Sequence, residues 1–402
     1  MALYFYDDAR ARTFEPFALT RPACELRAGA VLLRHRWESA LGERGAGLLV
    51  APHLEYFEEL DAPPAMHGDL HVGDVIVNSR CVLALGPIPR DVESWTCEGK
   101  VAAVRLARPA ARHLLESGEL ELEGLAGAGG ESAEVKGRWL SEVWDLIAQL
   151  GPQLAEDIAA VGPRIQTVKP EYAVVLGPHA VFVEQGAEIE PHVVFDVTAG
   201  PVLVLHGAHV YSHTRLIGPV AIAGGATVLG DRIATCSIGD VCKVRGEVSN
   251  TIFLGHANKG HDGFVGHSYL GRWVNLGAGT TTSNLKNTYG QVQLWTPEGV
   301  RDTGQQFLGT FFGDHAKTGI GMRLTTGCVI GAGAQVYDKM PPKYVPPFAW
   351  GGGEPYGVFD LDKFLEVAER VMSRRHIHLT ERARRQLLAA YGRHHEHEGP
   401  TS

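Results

Sequence analysis

The chain has 402 residues, long enough for two or more domains with separate cores. It is 45% hydrophobic and 21% charged, and its net charge of -9 argues against nucleic acid or any other partner held by phosphate neutralisation. No run approaches the ~18 apolar residues of a membrane helix, and acidic Asp7-Asp8 stand where a signal peptide needs bases. The six cysteines show no CxxC and no paired spacing, which predicts reduced thiols, a cytoplasmic protein and no membrane partner.

Residues 2–6 (ALYFY) read as a buried strand running into Asp7-Asp8. Leu26, Ala30, Leu33 and Trp37 have helical spacing, predicting a helix that opens at Pro22, a position where proline is tolerated. Arg21, Arg27, Arg34 and Arg36 lie on or just before it. Free N–H groups at a helix start and guanidinium forks both favour phosphate, so Arg21 and Arg27 make a candidate anion site; the alternative is a solvated basic face. GAGLLVAPHL, DVIVNSRCVLAL and KVAAVRLA predict strands, alternating with helical ARHLLESGEL and SEVWDLIAQLGPQLAEDIAAVG. Together they predict an α/β domain over 1–165. The glycines of 124–130 follow no strand and so form no phosphate fingerprint.

From about 172 a six-residue apolar repeat takes over. It runs through Val183, Ile189 and Phe195, then Val204, Val210, Leu216, Ile222 and Val228, then Ile238 and Val244, and later Phe312, Thr318, Leu324, Ile330 and Val336. Small residues follow four positions behind, Cys242 and Cys328 among them. A period of six suits neither a helix nor an alternating strand; it suits a parallel β-helix with three short strands per coil. Across 250–287 the inward set is expected at Ile252, Phe264, Leu270 and Leu276, with Asn258 interrupting it. The pattern is lost over 283–307, predicting a loop extruded from a prism that spans 172–340. An irregular arm and helices are expected over 341–402, one with Phe359, Phe364, Val367 and Val371 on its core face, the other ending in a frayed His-rich tail.

His256, His261 and His267 fall close together in this region. A zinc site needs three or four converging ligands, and coil turns send these imidazoles in different directions. A single histidine acting as general base fits better, the bland alternative being a hydrogen-bonded surface residue.

The segments NKGHDGF, WVNLGAGT, SNLKN and FALTRPACELRAG resemble a divergent, short N-terminal branch of the bacterial bifunctional UDP-N-acetylglucosamine pyrophosphorylase/glucosamine-1-phosphate N-acetyltransferases. There a catalytic His precedes a Tyr by three residues and an Asn-Ile-Gly-Ala-Gly-Thr run follows; here His261 precedes Phe264, and Asn275 opens Asn-Leu-Gly-Ala-Gly-Thr. The resemblance implies an α/β nucleotidyltransferase-like domain followed by a left-handed parallel β-helix of the hexapeptide-repeat class and a C-terminal helical arm. It implies acetyl transfer from acetyl-CoA to an amino-sugar 1-phosphate, with His261 as base and Asn275 and Lys259 beside it as catalytic residues. Asn258, Phe264, Asn284, Lys286, Arg232 and Arg245 are implied for the sugar phosphate, and Asp314, Lys317 and Ala332 for CoA. A homotrimer is implied through the prism.

The same resemblance implies nucleotidyl transfer from a nucleoside triphosphate, with Mg²⁺, in the N-terminal domain. Thr20, Arg21, Arg27 and Asn78 are its nucleotide-binding candidates and Asp145 and Asp74 its metal candidates, with Asp7 nearby. The Gly-rich phosphate loop of standard nucleotidyltransferases is absent; only Leu19-Thr20-Arg21-Pro22 remains of it. The family's tyrosine is Phe264, and its lysine falls near Glu247-Val248. Two other readings stay open: an acyltransferase whose N-terminal domain only binds nucleotide, and a β-helix scaffold without catalysis.

Overall fold

A computed structural model describes residues 1–127, 129–337 and 340–398. The chain divides into two compact units, Met1–Val143 together with the segment from Leu379, and Trp144–His378.

The first unit is built on a six-stranded sheet. Its order is Gly45–Leu49, Leu3–Tyr6, Val75–Asn78, Lys100–Arg105, Ser94–Cys97 and Ser132–Glu134. Leu3–Tyr6 lies parallel to both of its neighbours, so the chain leaves it first to one side and later to the other. The two inner parallel strands, Leu3–Tyr6 and Val75–Asn78, are almost wholly buried and largely apolar, as strands covered on both faces must be, whereas the edge strand Gly45–Leu49 buries only Gly47–Leu49. The run DVIVNSRCVLAL is two strands rather than one. Asn78 ends the first, and Cys81–Leu83 pairs instead with Gly137–Trp139 outside the main sheet.

The helix expected from Pro22 begins only at Leu33 and ends at Leu41. Residues Ala23–Glu25 form a single 3₁₀ turn, and Arg27–Ala28 pairs antiparallel with Val31–Leu32 around Gly29, whose φ of 66° suits glycine. Nor are the four arginines a solvated face, because all four are buried. Arg34 bonds Glu25 at 2.6 Å and also reaches Glu38 and Asp61; Arg21 meets Glu59 at 2.7 Å. Arg36 donates to the carbonyls of Leu83 and Ala28, and Arg27 to that of Ala30. Buried guanidinium groups need such partners, and the local carboxylates and turn carbonyls supply them.

The second unit is a left-handed parallel β-helix. Its three sheets gather strands from successive coils, from Val174–Leu176 to Ala349–Gly351. Val183, Phe195, Val204, Val210, Leu216, Ile222 and Val228 stack in one core, with Cys242 and Cys328 as buried thiols inside it. The segment expected to be an irregular arm adds a further coil, since Tyr344 pairs with Val329 and Trp350 with Gln335. Residues 283–307 leave the prism and carry their own hairpin, Gln293–Thr296 against Gly299–Asp302. The helices Asp145–Ala148 and Leu150–Val161, expected before a boundary at 165, group with this unit.

Leu270 and Leu276 face inward as expected, but over residues 252–265 the register differs from the expected one by a residue. The inward positions are Phe253, Lys259 and Val265, because Ile238 pairs with Phe253, Val244 with Lys259 and Val248 with Val265. Here the first and second sheets are joined by five-residue steps, Ile233 to Ile238 and Val248 to Phe253, where an earlier coil takes six from Leu216 to Ile222. A shorter corner moves the inward set by one until a second five-residue step, Val265 to Leu270, restores the expected phase.

After the prism, Leu361–Ser373 is helical, with Asp360 accepting from the Lys363 amide as an N-cap. Its buried face is Phe364, Leu365, Ala368 and Met372; Val367 and Val371 are only half-buried. The last helix, Glu381–Glu398, runs into the His-rich tail, whose final four residues lie outside the described ones.

Candidate functional site

Strand geometry in the prism decides which side chains face out. The third sheet stacks two-residue strands, and the second residue of each (Val244, Leu276, Thr318, Val336) points inward. The first residues therefore form an outward ladder: Lys243, Asn258, Asn275, Lys317 and Gln335 in successive register. Within it Asn258 Nδ2 donates to Asn275 Oδ1 at 2.8 Å. Burial lowers the Lys317 ammonium to about 8, and its Nζ donates to the His315 carbonyl. On the first sheet the matching outward line is Arg215, Arg232, Glu247 and Phe264. Arg232 lies 3.5 Å from Glu247, and Arg245 reaches Asp231 at 3.2 Å.

The three histidines stand at three different corners. His256 lies between the second and third sheets, His261 between the third and first, and His267 between the first and second. His256 is buried, meets Arg272 Nη1 at 3.1 Å and lies tilted against the Trp273 ring, centroids 4.3 Å apart. His267 Nδ1 accepts from Asn284 Nδ2 at 2.8 Å, its ring lies 5.4 Å from Phe307, and burial lowers it to about 4. Only His261 is exposed. It projects from the corner that joins the Asn258–Asn275–Lys317 ladder to the strand carrying Phe264.

Other expected residues fall elsewhere. Asp314 and Ala332 are buried at the corner between second and third sheets, where Asp314 Oδ1 accepts from the Arg272 amide, so of the expected CoA residues only Lys317 presents a face outward. Lys259, expected beside the base, points into the prism. Asn284 partners His267 rather than His261, and Lys286 donates to the Gln291 carbonyl within the extruded loop.

In the first unit the site lies where the parallel strands end. Asp7 and Asp8 follow Leu3–Tyr6, and Ser79 and Arg80 follow Val75–Asn78. The crevice beyond the carboxyl ends of strands whose order reverses is where open α/β sheets take ligands. A cleft of about 360 Å³ opens there, lined by Asp8, Arg10, Asn78, Arg80, Lys100 and Trp139 among others. Arg80 Nη2 bonds Asp8 Oδ2 at 2.6 Å and its guanidinium lies 5.3 Å from the Trp139 ring centre. Burial alone would raise the Asp8 carboxyl, but Arg80 and Asn78 hold it below its ordinary range. Asp7 is pushed up to about 6 by burial, although its Oδ2 accepts from the Ala23 amide at 3.0 Å.

Of the expected nucleotide residues, Asn78 lines this cleft. Arg21 and Arg27 are spent on internal partners, and Thr20 is buried with its hydroxyl on the Phe17 carbonyl. Arg80, Lys100 and Trp139 were not singled out by spacing, since a strand end, a strand start and a distant hairpin share no local pattern. The carboxylates expected for a metal do not fit one here. Asp74 accepts from the amides of Ala2 and His71, Asp7 accepts from the Ala23 amide, Asp145 opens the helix Asp145–Ala148 after the first unit ends, and Asp8, which lines the cleft, is taken by Arg80. Among the described residues no three His, Cys, Asp or Glu converge as a cation site.

Comparison with known proteins bears on both units. Residues 3–164 match the family model described as sugar nucleotidyl transferase. The N-terminal part of the chain is thus similar to sugar nucleotidyltransferases. A bifunctional sugar-1-phosphate nucleotidylyltransferase/acetyltransferase of Sulfurisphaera tokodaii is 33% identical over 91 residues, 23% of either chain. The bifunctional protein GlmU of Desulfitobacterium hafniense is 27% identical over 220 residues, 46% of this chain and 44% of its own. The uncharacterized acetyltransferase YaiX of Escherichia coli K12 is 26% identical over 161 residues, 39% of this chain and 70% of its own. All three are transferases by name, and the alignments span less than half the length of the first two. Among the described residues no helix is long and apolar enough to cross a membrane.

Proposed function

We propose that this chain makes a nucleotide sugar of the UDP-N-acetylglucosamine type by two group transfers. In the β-helix, His261 takes the proton from a sugar 2-amine as its nitrogen attacks the thioester carbon of acetyl-CoA. The tetrahedral intermediate then expels CoA thiolate, and the proton leaves with the thiol. Asn275 and Asn258 hold the acceptor beside the base, and Lys317 offers the positive charge on that face for a phosphate. Phe264 stands where the resembling enzymes have Tyr, so the acceptor meets an aromatic face there and no hydroxyl. Arg232 and Arg245 lie on the neighbouring face and corner for the sugar phosphate.

The single observation that carries this reading is the exposed His261 at the one corner where two polar ladders meet. The names of the bifunctional relatives support the pairing of acetyl with nucleotidyl transfer. In the N-terminal cleft, Arg80 and Lys100 are the cations for a nucleoside triphosphate and a sugar 1-phosphate, and Trp139 is a flat surface for a base. No step is assigned to Mg²⁺. A homotrimer would bring a second prism against the His261 edge, and a cytoplasmic setting would supply both acetyl-CoA and nucleotide.

Two assays on the purified chain test the reading: CoA release with glucosamine 1-phosphate, and pyrophosphate release from nucleoside triphosphates with N-acetylglucosamine 1-phosphate. Product in both is expected. CoA release without pyrophosphate would leave an acyltransferase with a binding domain, the reading favoured by the internal partners of Arg21 and Arg27. Product in neither would remove the enzyme.

A further inference from the structure

Lys259 occupies a position where every neighbouring coil places an apolar or uncharged residue. It pairs in register with Val244, and Leu276 and Thr318 hold the same place on the following coils. Its side chain is 1% exposed. An ammonium in such a core costs several kcal/mol unless its donors are met. Here all three N–H groups are met by backbone oxygens. Nζ donates to the carbonyls of Arg245 at 3.1 Å, Asp262 at 3.0 Å and His261. An ammonium has three donors and no acceptor, so three carbonyls match it, whereas a neutral amine would turn a lone pair on one of them.

The space for this ammonium is built by glycine. At Gly246, with φ of 102°, a Cβ would fall 2.9 Å from Lys259 Nζ and 2.7 Å from the Gly263 carbonyl. At Gly263, with φ of 118°, a Cβ would fall 2.3 Å from the Thr280 carbonyl. Two successive corners are thus left bare where the lysine ties them together. The corner it ties, residues 260–263, is the one that carries His261.

We infer that Lys259 is a positioning residue, an internal ammonium that fixes the backbone from which His261 projects by binding the carbonyls on either side of that corner. The inference rests on His261 being the base of acetyl transfer, and it gives Lys259 a role through His261 rather than on the substrate. The charged groups near it are Asp262 and Asp231, which favour the ammonium, and Arg245, which opposes it; burial is the larger effect and lowers it to about 8. The charge is therefore kept by geometry against an unfavourable medium. Misplacing a catalytic group by about 1 Å costs on the order of 100-fold in rate.

The test replaces Lys259→Met, which keeps the length and apolar stem and removes the three donors. Acetyl transfer should lose about 100-fold in kcat, KM for acetyl-CoA should stay within about threefold, and pyrophosphate release should not change. The double variant Lys259→Met/His261→Ala should be no slower than His261→Ala alone, because both act through one group. A kcat within threefold of the wild type, or a double variant slower than His261→Ala, would overturn the inference. If His261→Ala itself retains acetyl transfer, the base assignment fails instead. Hydrogen exchange gives a readout free of activity: amides of residues 260–263 should exchange about tenfold faster in Lys259→Met while those of the distant Val202–Val204 strand keep their rates. Unchanged exchange at the corner would sink the positioning role whatever the assays give.

Discussion

Single side chains in this protein are set by what buries them. His267 shows the effect on titration. Folded, it titrates near 4 because burial disfavours its charged form, while an unfolded histidine titrates near ~6.5. Between those values the unfolded chain binds a proton that the folded chain does not, so acidification from about 6.5 to 4 draws the chain toward unfolding. Replacing His267→Gln should flatten the fall of melting temperature across that window; an identical pH profile would show that His267 is not buried as described. In the other unit, Arg80 holds Asp8 and faces Trp139 across the cleft. Arg80→Met should lower pyrophosphate release by at least ~10-fold, on the scale of a lost charged hydrogen bond of about 1.5–3 kcal/mol, with acetyl transfer unchanged. Equal loss of both activities would point to a folding defect instead of a cleft role.

The elements turn on register. If Phe253 is inward and Phe264 outward, Phe253→Ala should cost about 3–5 kcal/mol by cavity formation and lower the melting temperature by roughly 2–4 °C per kcal/mol. Phe264→Ala, on the half-buried outer face, should shift it far less. The reverse order would restore the register expected from the repeat alone. The repeat made the β-helix legible over most of its length, because a six-residue apolar period has one structural solution. It gave Leu270 and Leu276 but not the phase over 252–265, where Ile252-Phe253 and Phe264-Val265 are adjacent apolar pairs and either member fits the period. The inward placement of Lys259 was hidden for the same reason: a lysine inside a solenoid violates the pattern, and only its three carbonyl partners explain it. The prism's last coil was also illegible, since Tyr344–Val345 and Ala349–Gly351 lie in a proline-rich stretch that reads as a loop. In the first unit helical spacing from Leu26 to Trp37 was coincidental up to Leu33. Gly29 and the hairpin around it break the helix, and two of the carboxylates that pair with the arginines, Glu59 and Asp61, come from a distant segment.

At the scale of the whole molecule, two compact units each carry one candidate site, and each site lies where its architecture predicts. The α/β unit offers the carboxyl ends of its parallel strands; the solenoid offers a corner between two outward ladders. His261 is the candidate that motif spacing singled out, and it is exposed in the structure, whereas the residues expected around it are only partly gathered there. Asn258, Asn275 and Lys317 fall into one ladder, but Asp314 and Ala332 turned inward because they sit where the chain bends. The account as a whole therefore rests on His261. The most direct measurement is His261→Ala assayed for both reactions on the same preparation. The prediction is loss of acetyl transfer by ~10²–10⁴-fold, the usual contribution of a general base, with pyrophosphate release within about twofold of the unaltered chain. Acetyl transfer that survives the substitution would contradict it.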